Sequence, residues 1–382
     1  MIYLDNAATT ARKPQAVADA VYQGLTSGLI GNPARGAHDS AVEAFRAIYQ
    51  MRETAARLFG VKNPLHVALT QNATDSLNRV LKGLLKPGDH VITTVTEHNS
   101  VLRPLYQLEK TGVKLSLVGI DGKADLNYSE FETYVSDETR AVVVNAASNV
   151  TGNRADLEWI ADFSKKHDLL FILDASQAAG VFDIKMEEMG IDILCTTGHK
   201  SLYGPQGTGL IAVNGDISFI PVFSGGAGAH SFETEHPNTL PDVFESGTLN
   251  TPGAMGLAAG MACVEEMGFD RIGESLQDLI DRFVTGVRDI PGIRLYGDPF
   301  RRGHAPVVGL NLYDLPSSEI AGILNEDYGI AVRPGAHCAP RLHEALGTVE
   351  QGILRFSFST FNTLDEIDKA VAALTELAGG ME

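Results

Sequence analysis

The stretch TTGHKSLYGPQGTG, residues 196–209, places a lysine where a surface cation is not expected. Lys200 follows the apolar run IDILC (191–195), which is typical of a buried strand, and Gly-rich turns lead into a second apolar run, TGLIAV (208–213). Burying an ammonium group without a partner costs free energy. We therefore interpret Lys200 as a reactive amine that serves the function of the protein.

Apolar runs alternate with amphipathic stretches on both sides of this segment. We predict strands at 66–70, 90–95, 113–119, 141–148, 169–176, 192–197 and 209–213, and helices at 73–85, 99–110 and 155–167. This alternation is typical of a largely parallel sheet covered by helices on both faces. Residues 217–256 are rich in Gly, Pro, Ser and Thr and predict a loop, and further helices are predicted near 254–268 and 275–290.

Composition limits the class of protein. A chain of 382 residues with 44% hydrophobic residues can form one large domain and a smaller one. The formal net charge of −18, with no basic patch interleaved with aromatics, argues against nucleic-acid binding. We see no secretory signal and no apolar run long enough for a bilayer, and the three cysteines are too few for a disulfide framework. We therefore expect a cytoplasmic protein without a membrane segment.

Polar residues follow several of the predicted strands. In HVALTQNATDSLN (66–78) a helix begins at Ala73 and Thr74, where backbone amides favour a phosphate, although Asn72 or Thr74 can equally serve only as a helix cap. HVITTVTEHNS (90–100) ends near His98, which by itself is more often structural than catalytic. VVVNAASNVTGN (142–153) contains Asn149.

A carboxylate closes another apolar run. In LLFILDASQAAG (169–180), Asp174 ends the strand and calls for a cationic partner, while Gln177 adds a donor close by. Ligands of α/β sheets bind beyond the carboxyl ends of the strands, where Thr197, His199 and Lys200 also fall. A phosphate-binding helix start, a carboxylate that can keep a ring nitrogen protonated and a strand-end lysine together indicate pyridoxal phosphate.

Two residues near the C-terminus can serve a substrate. Arg355 lies in the strand-like segment LRFSFSTFNT (354–363) and is a natural bidentate partner for a carboxylate, or else forms a structural salt bridge. Cys338 lies in AVRPGAHCAP (331–340), a loop that we expect to be flexible and exposed, where Arg333 and His337 favour the thiolate. Cys195 and Cys263 lie in apolar runs and are expected to be inert.

Taken together, these segments resemble the cysteine desulfurases of the class V aminotransferase family, in the subgroup that includes selenocysteine lyase-like members. The resemblance covers almost the whole chain, through YLDNAATT, GNPARGAHDSA, QNATDSLN, TEHNS, SNVTG, DASQAAG, TGHKSLYGPQG, ESGTLNT, RPGAHCA and RFSFSTFNT. Ala336 occupies a position where that subgroup often has histidine, and Thr197 replaces a common serine but keeps the hydroxyl.

The resemblance implies roles around the cofactor. Lys200 would form the Schiff base with pyridoxal phosphate, and Asp174 would face the pyridine nitrogen. Gln177 would contact the phenolic oxygen, and His98 would stack on the ring and transfer protons. Asn149 would touch cofactor or substrate.

It also implies how phosphate and substrate are bound. Ala73, Thr74, Thr197 and His199 would bind the phosphate, and Thr248 would reach the phosphate of the neighbouring subunit in a homodimer. For the reaction, Arg355 would hold the carboxylate of L-cysteine, and Cys338 would take the sulfur as a persulfide, releasing L-alanine and passing the sulfur to an acceptor protein or thiol.

The implied fold is that of the aspartate aminotransferase-like, fold type I transferases. We expect an N-terminal segment, 1–14, to pack on the small domain, a large cofactor-binding domain at 15–255 with a mostly parallel sheet, and a small α+β domain at 256–382. The resemblance implies that the sulfur serves iron–sulfur cluster assembly, thionucleoside synthesis or another pathway.

Other functions remain open on sequence alone. Selenocysteine lyase, a class V aminotransferase and a C–S lyase would share the fold and cofactor. A metal site at His337, Cys338 and His343 lacks a recognised ligand spacing, and a degenerate scaffold is at odds with the intact Lys200 and Asp174.

Overall fold

The computed structural model describes residues 1–33, 36, 38–228 and 231–380; three residues of GNPARGAHDSA, two of the Gly-rich loop and the last two of the chain lie outside this range. The strands are β1 (Ile2–Tyr3), β2 (Val67–Thr70), β3 (His90–Thr94), β4 (Lys114–Val118), β5 (Thr139–Asn145), β6 (Leu170–Asp174), β7 (Ile193–Thr197), β8 (Gly209–Val213), β9 (Ile293–Tyr296), β10 (Val307–Leu312), β11 (Ile330–Ala331) and β12 (Leu354–Ser357). The helices are α1 (Gln15–Thr26), α2 (Asp39–Phe59), α3 (Ala73–Leu84), α4 (Asn99–Glu109), α5 (Tyr128–Tyr134), α6 (Leu157–Lys166), α7 (Thr251–Met267), α8 (Phe269–Val287), α9 (Ser317–Tyr328), α10 (Pro340–Leu346) and α11 (Leu364–Gly379).

A seven-stranded sheet forms the centre of the molecule, in the order β2-β8-β7-β6-β5-β3-β4. The pairs among β7, β6, β5, β3 and β4 are parallel, and β8 runs antiparallel to both of its neighbours, β2 and β7. The predicted, mostly parallel sheet is therefore confirmed. Since β2 runs in the same direction as β7, the polar residues after β2, β3, β5, β6 and β7 meet at one edge.

Helices cover both faces of this sheet. Alternate strand residues such as Val91, Val143 and Ile193 pack with α3 and α4, while Ile92, Val144 and Leu194 face the other way, towards the core formed with α2, α6 and α7. Because both faces are buried, the strands read as continuous apolar runs. Within the described part of the chain, no helix is long and apolar enough to cross a membrane.

A smaller antiparallel sheet, β12-β10-β9, follows in the chain, and α8 and α11 pack against each other beside it. The N-terminal strand β1 pairs in parallel with β11, between Ile2 and Ile330. A division at residue 255 falls inside α7, which packs on α1 and α2. We therefore propose that the large domain extends through α7 and that the small domain begins after Gly268, with the first residues packed on the small domain.

Candidate active site

One cavity of about 200 Å³ opens at the carboxyl edge of the seven-stranded sheet. Every predicted site residue except Thr248 lines it, so that residues from five strand ends and from the C-terminal part of the chain converge: Ala73, Thr74, His98, Asn149, Asp174, Gln177, Thr197, His199, Lys200, Cys338 and Arg355. Thr248 lies elsewhere, with its hydroxyl 3.3 Å from the side-chain nitrogen of Asn32. The structure brings these residues together, and the chemical role of each stays a prediction.

Lys200 is the central amine of this cavity. Its side chain lies in the turn after β7, where the Tyr203 amide donates to the Lys200 carbonyl oxygen over 2.9 Å. Burial lowers the pKa of Lys200 to about 8, although the charge of Asp174 acts in the opposite direction. An amine with this pKa is about one-tenth neutral at pH 7, far more than an ordinary lysine, and the neutral form can act as a nucleophile.

The Asp174 carboxylate is held firmly at the end of β6. Its Oδ1 accepts from the backbone amide of Ser176 at 2.9 Å and from the Ser176 hydroxyl at 2.5 Å. Asp174 is buried and lines the cavity, as required of a partner for a cationic ring nitrogen. Nearby, Gln177 donates through Nε2 to the Ala7 carbonyl over 3.1 Å, so its amide is oriented by the N-terminal segment.

The start of α3 forms one end of the cavity. Asn72 caps the helix by accepting from the Asp75 amide at 2.9 Å, so the capping alternative holds for Asn72. The amides of Ala73 and Thr74 have no partner within the helix and remain available to an anion. Thr197 adds a buried hydroxyl that has no hydrogen-bond partner among the described residues.

His199 lies beside this anion-binding end. Its Nδ1 is 3.0 Å from the Thr9 hydroxyl, and its carbonyl oxygen accepts from the Lys13 ammonium at 2.6 Å. Burial, followed by the charges of Lys200 and Lys13, lowers the pKa of His199 to about 4. The ring is therefore neutral at pH 7, and any ligand there contacts an uncharged imidazole.

The tautomer of His98 follows from its hydrogen bonds. The Ser100 amide donates to Nδ1 over 3.0 Å, which requires Nδ1 to be unprotonated and puts the ring proton on Nε2. Burial and the Lys200 charge lower the pKa of His98 to about 4. The Ser100 hydroxyl joins Nδ1 to the Thr74 hydroxyl, at 2.8 and 2.7 Å. This neutral ring is suited to stack on a flat ligand and to move a proton at Nε2.

Arg355 is buried and held by two partners. Its Nη2 donates to Asp5 Oδ1 over 2.8 Å, and its Nη1 donates to the Asn149 carbonyl over 2.9 Å. Its Nε has no partner among the described residues. Arg355 can therefore form the salt bridge and also bind a carboxylate, because the ion pair with Asp5 leaves other N–H donors of the guanidinium available to a ligand.

The Cys338 loop makes hydrogen bonds to other parts of the fold. Cys338 is exposed at the cavity, but its carbonyl accepts from the Asn99 amide at 2.7 Å, and the Asn149 side chain donates to the His337 carbonyl over 2.7 Å. Both His337 and Cys338 adopt left-handed backbone conformations, at φ 49° and 57°. These contacts tie the backbone of the loop to α4 and to Asn149, and the Cys338 thiol stays exposed at the cavity.

His337 does not supply the positive charge that was expected next to Cys338. Its Nε2 donates to the Ile353 carbonyl over 2.8 Å, and burial, followed by the Arg355 charge, lowers its pKa to about 3. The ring is neutral at pH 7. Arg333, the other residue that was expected to favour the thiolate, is exposed and lines the cavity.

Sequence reasoning missed several residues of the site. The cavity also includes Ala7, Ala8, Ser100, Asn145 and Ser176. Ser100 and Ser176 each lie two residues after a predicted site residue, a spacing that favours local side-chain hydrogen bonds and could have revealed them. Asn145, at the end of β5, is next to Asp174 in register.

The family model for class V aminotransferases matches residues 2–370. The chain belongs to the class V aminotransferase family. A probable cysteine desulfurase of Mycobacterium leprae is 32% identical over all of this chain, which spans 62% of that relative's length. A probable cysteine desulfurase of a Synechocystis strain is also 32% identical, over 98% of this chain and 90% of its own length.

Solved structures of class V aminotransferases show the same fold. The apo cysteine desulfurase of Thermococcus onnurineus superimposes with a TM-score of 0.92 at 32% identity, covering 99% of this chain and 95% of the other. The cysteine desulfurase CsdA of Escherichia coli gives 0.88 at 27% identity, covering 99% and 94%. The predicted fold type I architecture is confirmed.

Members of this class V family use pyridoxal phosphate, and the cavity fits that group. The buried Thr197 hydroxyl without a partner and the free amides of α3 match a phosphate. At the other end, the Asp174 carboxylate can pair with a protonated pyridine nitrogen, and the Lys200 amine can react with the aldehyde carbon of the cofactor. Gly209 lets β8 lie close to the start of α3, because a Cβ there would lie 2.7 Å from the Asn72 backbone.

Proposed function

We propose that this protein is a pyridoxal phosphate-dependent cysteine desulfurase that converts L-cysteine to L-alanine. Sulfur passes to Cys338 as a persulfide and then to an acceptor. The observation that carries this proposal is the exposed Cys338 thiol in the same cavity as Lys200, Asp174 and Arg355. An ordinary aminotransferase needs the last three residues but has no use for a thiol fixed at the cavity opening.

The chain's residues divide the work of the reaction. Lys200 holds the cofactor, which when bound supplies an electron sink for negative charge at the substrate α-carbon. Asp174 keeps the ring nitrogen protonated. His98, neutral and protonated on Nε2, transfers protons at the opening of the cavity. Arg355 binds the substrate carboxylate and so orients the C–S bond towards Cys338.

The sulfur step is a displacement at sulfur. The Cys338 thiolate attacks the substrate sulfur, an S–S bond forms, and the electron pair of the broken C–S bond stays with the carbon skeleton, which takes up protons to become alanine. Cys195 and Cys263 do not compete in this step, because burial raises the pKa of both thiols. An acceptor thiol or a reductant then removes the sulfur.

The cellular setting belongs to the same proposal. We expect a homodimer in the cytoplasm, with Thr248 completing the phosphate site of the partner subunit and with an acceptor protein or thiol taking the sulfur. Delivery to iron–sulfur cluster assembly is one use of such sulfur.

The test uses the purified protein with L-cysteine and dithiothreitol. Cysteine desulfuration gives equal amounts of alanine and sulfide, together with oxidised dithiothreitol. Pyruvate would favour a C–S lyase, and a keto acid with amino-group transfer would favour an aminotransferase. Faster turnover of selenocysteine than of cysteine, with alanine as product, would favour a selenocysteine lyase. Borohydride reduction followed by peptide mapping should label Lys200, and a label elsewhere contradicts the proposed role of this residue.

A further inference from the structure

A positively charged surface lies beside the Cys338 thiol. It consists of Arg103, Tyr106 and Lys110, which follow one face of α4 and its C-terminal end, and of Arg341 on α10; we name these four residues the Cys338 rim. The three cations of the rim are exposed, in a chain whose net charge is −18. The surface next to the nucleophile is therefore positive, although the molecule as a whole is negative.

Hydrogen bonds hold α4 against the Cys338 loop and against α10, at one point each. At the start of α4, the Asn99 amide donates to the Cys338 carbonyl over 2.7 Å. Two turns further on, the Tyr106 hydroxyl accepts from Arg341 Nε at 2.8 Å. Arg103 is four residues after Asn99 and three before Tyr106, so all three share one helix face. Arg103 lies one helical turn before Tyr106 on this face, and therefore one turn from the contact with Arg341.

The charges of the rim are only partly compensated. Arg341 pairs with Glu344 at 2.7 Å, and both side chains are exposed. Arg103 and Lys110 form no ion pair with any of the described residues. Lys110 lies seven residues, or two turns, after Arg103 and so belongs to the same helix face. Uncompensated cations attract carboxylates over about one Debye length and raise association rates.

We propose that the Cys338 rim docks an acidic polypeptide segment of the sulfur acceptor, next to its receiving cysteine. This inference rests on the proposed desulfurase function. The acceptor thiolate attacks the outer sulfur of the Cys338 persulfide, a new S–S bond forms on the acceptor, and Cys338 leaves as a thiolate, so no further oxidant or reductant is needed. Carboxylates beside that thiol contact Arg103 and Arg341, which favour carboxylate partners.

Two synthetic peptides provide the test, each with one cysteine, flanked by glutamates in one and by lysines in the other. The holoenzyme is exposed briefly to L-cysteine, the excess is removed, and the rate of sulfur transfer to each peptide is followed by mass spectrometry. Each rate is divided by that peptide's rate with a small uncharged disulfide, which corrects for thiol reactivity. At low salt we expect the acidic peptide to be faster by about tenfold, with the difference shrinking as salt is added.

Matched charge reversals locate the effect. Arg103→Glu should slow transfer to the acidic peptide by about tenfold while leaving desulfuration with dithiothreitol unchanged. Arg271→Glu, on the exposed side of α8, makes the same charge change outside the rim and should have no effect. Equal rates for the two peptides, or equal behaviour of the two variants, would overturn the rim proposal alone. Failure to load sulfur on Cys338 would overturn the desulfurase function and the rim together.

Discussion

At the residue scale, the contact that most constrains the substrate site joins the two ends of the chain. Asp5 and Arg355 form an ion pair of 2.8 Å, and the Arg355 side chain is 3% exposed. A guanidinium buried to this degree needs a fixed partner, since an unpaired buried charge is costly. Asp5 therefore positions the arginine to which we assign the substrate carboxylate.

Replacing Asp5 should weaken substrate binding more than it slows turnover. Asp5→Ala removes a charge-assisted hydrogen bond worth about 1.5–3 kcal/mol, so we expect KM for cysteine to rise about ten- to a hundredfold with a smaller change in kcat. Asp5→Asn keeps an acceptor and should fall in between. Asp278→Ala, at an exposed position on α8, serves as the control. An unchanged KM in the Asp5→Ala enzyme would remove Asp5 from this role.

Glu97 is a second residue whose state can be measured. It is fully buried, and its Oε1 accepts from the Asn145 amide at 2.9 Å and from the Thr94 hydroxyl at 2.8 Å. Burial raises the pKa of Glu97 from 4.5 to about 8 despite these bonds. The folded protein thus binds a proton on Glu97 that the unfolded chain has released between these two pKa values.

The raised pKa of Glu97 makes the free energy of unfolding depend on pH. A raised folded-state pKa gives stability that is complete below pH 4.5 and is lost as the pH rises through about 8. Glu97→Gln stays neutral, so the free energy of unfolding of the variant minus that of the wild type should rise by about 3 kcal/mol from pH 5 to 8. Urea denaturation of both holoproteins at several pH values measures this difference, and parallel curves would contradict a protonated Glu97.

At the element scale, the spacing between β8 and the start of α3 shapes the phosphate end. A Cβ at Gly209 would lie 2.7 Å from the backbone of Asn72 and from Thr70 Oγ1. Gly209→Ala should therefore displace the cap of α3 and weaken pyridoxal phosphate binding by about tenfold or more, through loss of a charged hydrogen bond. Gly322→Ala, in α9, has open space around the added methyl and is the control. Equal cofactor affinity of the two variants, measured by spectral titration, would argue against this role for Gly209.

Some features of the fold and of the site can be predicted from the sequence, and others depend on tertiary contacts. Apolar runs locate the ends of the strands, so the sequence alone predicts Asp174, Thr197 and Lys200 at one edge of the sheet. The Asp5–Arg355 pair could not be predicted, because nothing local links residues so far apart in the chain. The neutral state of His337 also depends on tertiary structure, since it follows from burial and from the Ile353 carbonyl. Likewise, the Gly- and Pro-flanked Cys338 loop is fixed by hydrogen bonds to Asn99 and Asn149, which lie in other parts of the fold.

For the molecule as a whole, we propose that Thr248 belongs to an interface between two subunits. It lies outside the candidate active-site cavity, next to Asn32, and its neighbours Gly247 and Leu249 line a second cavity of about 300 Å³ together with the exposed Phe45. Leu25 on α1 is also exposed. Our proposal is that a second subunit covers these side chains.

Mixed dimers test whether Thr248 acts in the partner subunit. Thr248→Ala alone should weaken cofactor binding about ten- to a hundredfold, through loss of a hydrogen bond to phosphate. In a dimer of one Lys200→Ala chain and one Thr248→Ala chain, sharing across the interface leaves one site with both native residues, so activity and tight binding should return to that site. An active monomer in light scattering, or a mixed dimer without such recovery, would contradict the shared site.

The proposed function of the whole molecule depends on sulfur transfer to Cys338, which mass spectrometry detects after brief exposure to L-cysteine. We predict one added sulfur on the Cys338 peptide of the wild type and none on the peptides of Cys195 or Cys263. In Cys338→Ala, the spectral response of the cofactor to cysteine should persist while alanine and sulfide formation collapse. Desulfuration by Cys338→Ala at a rate near that of the wild type, or sulfur on a different cysteine, would contradict the account.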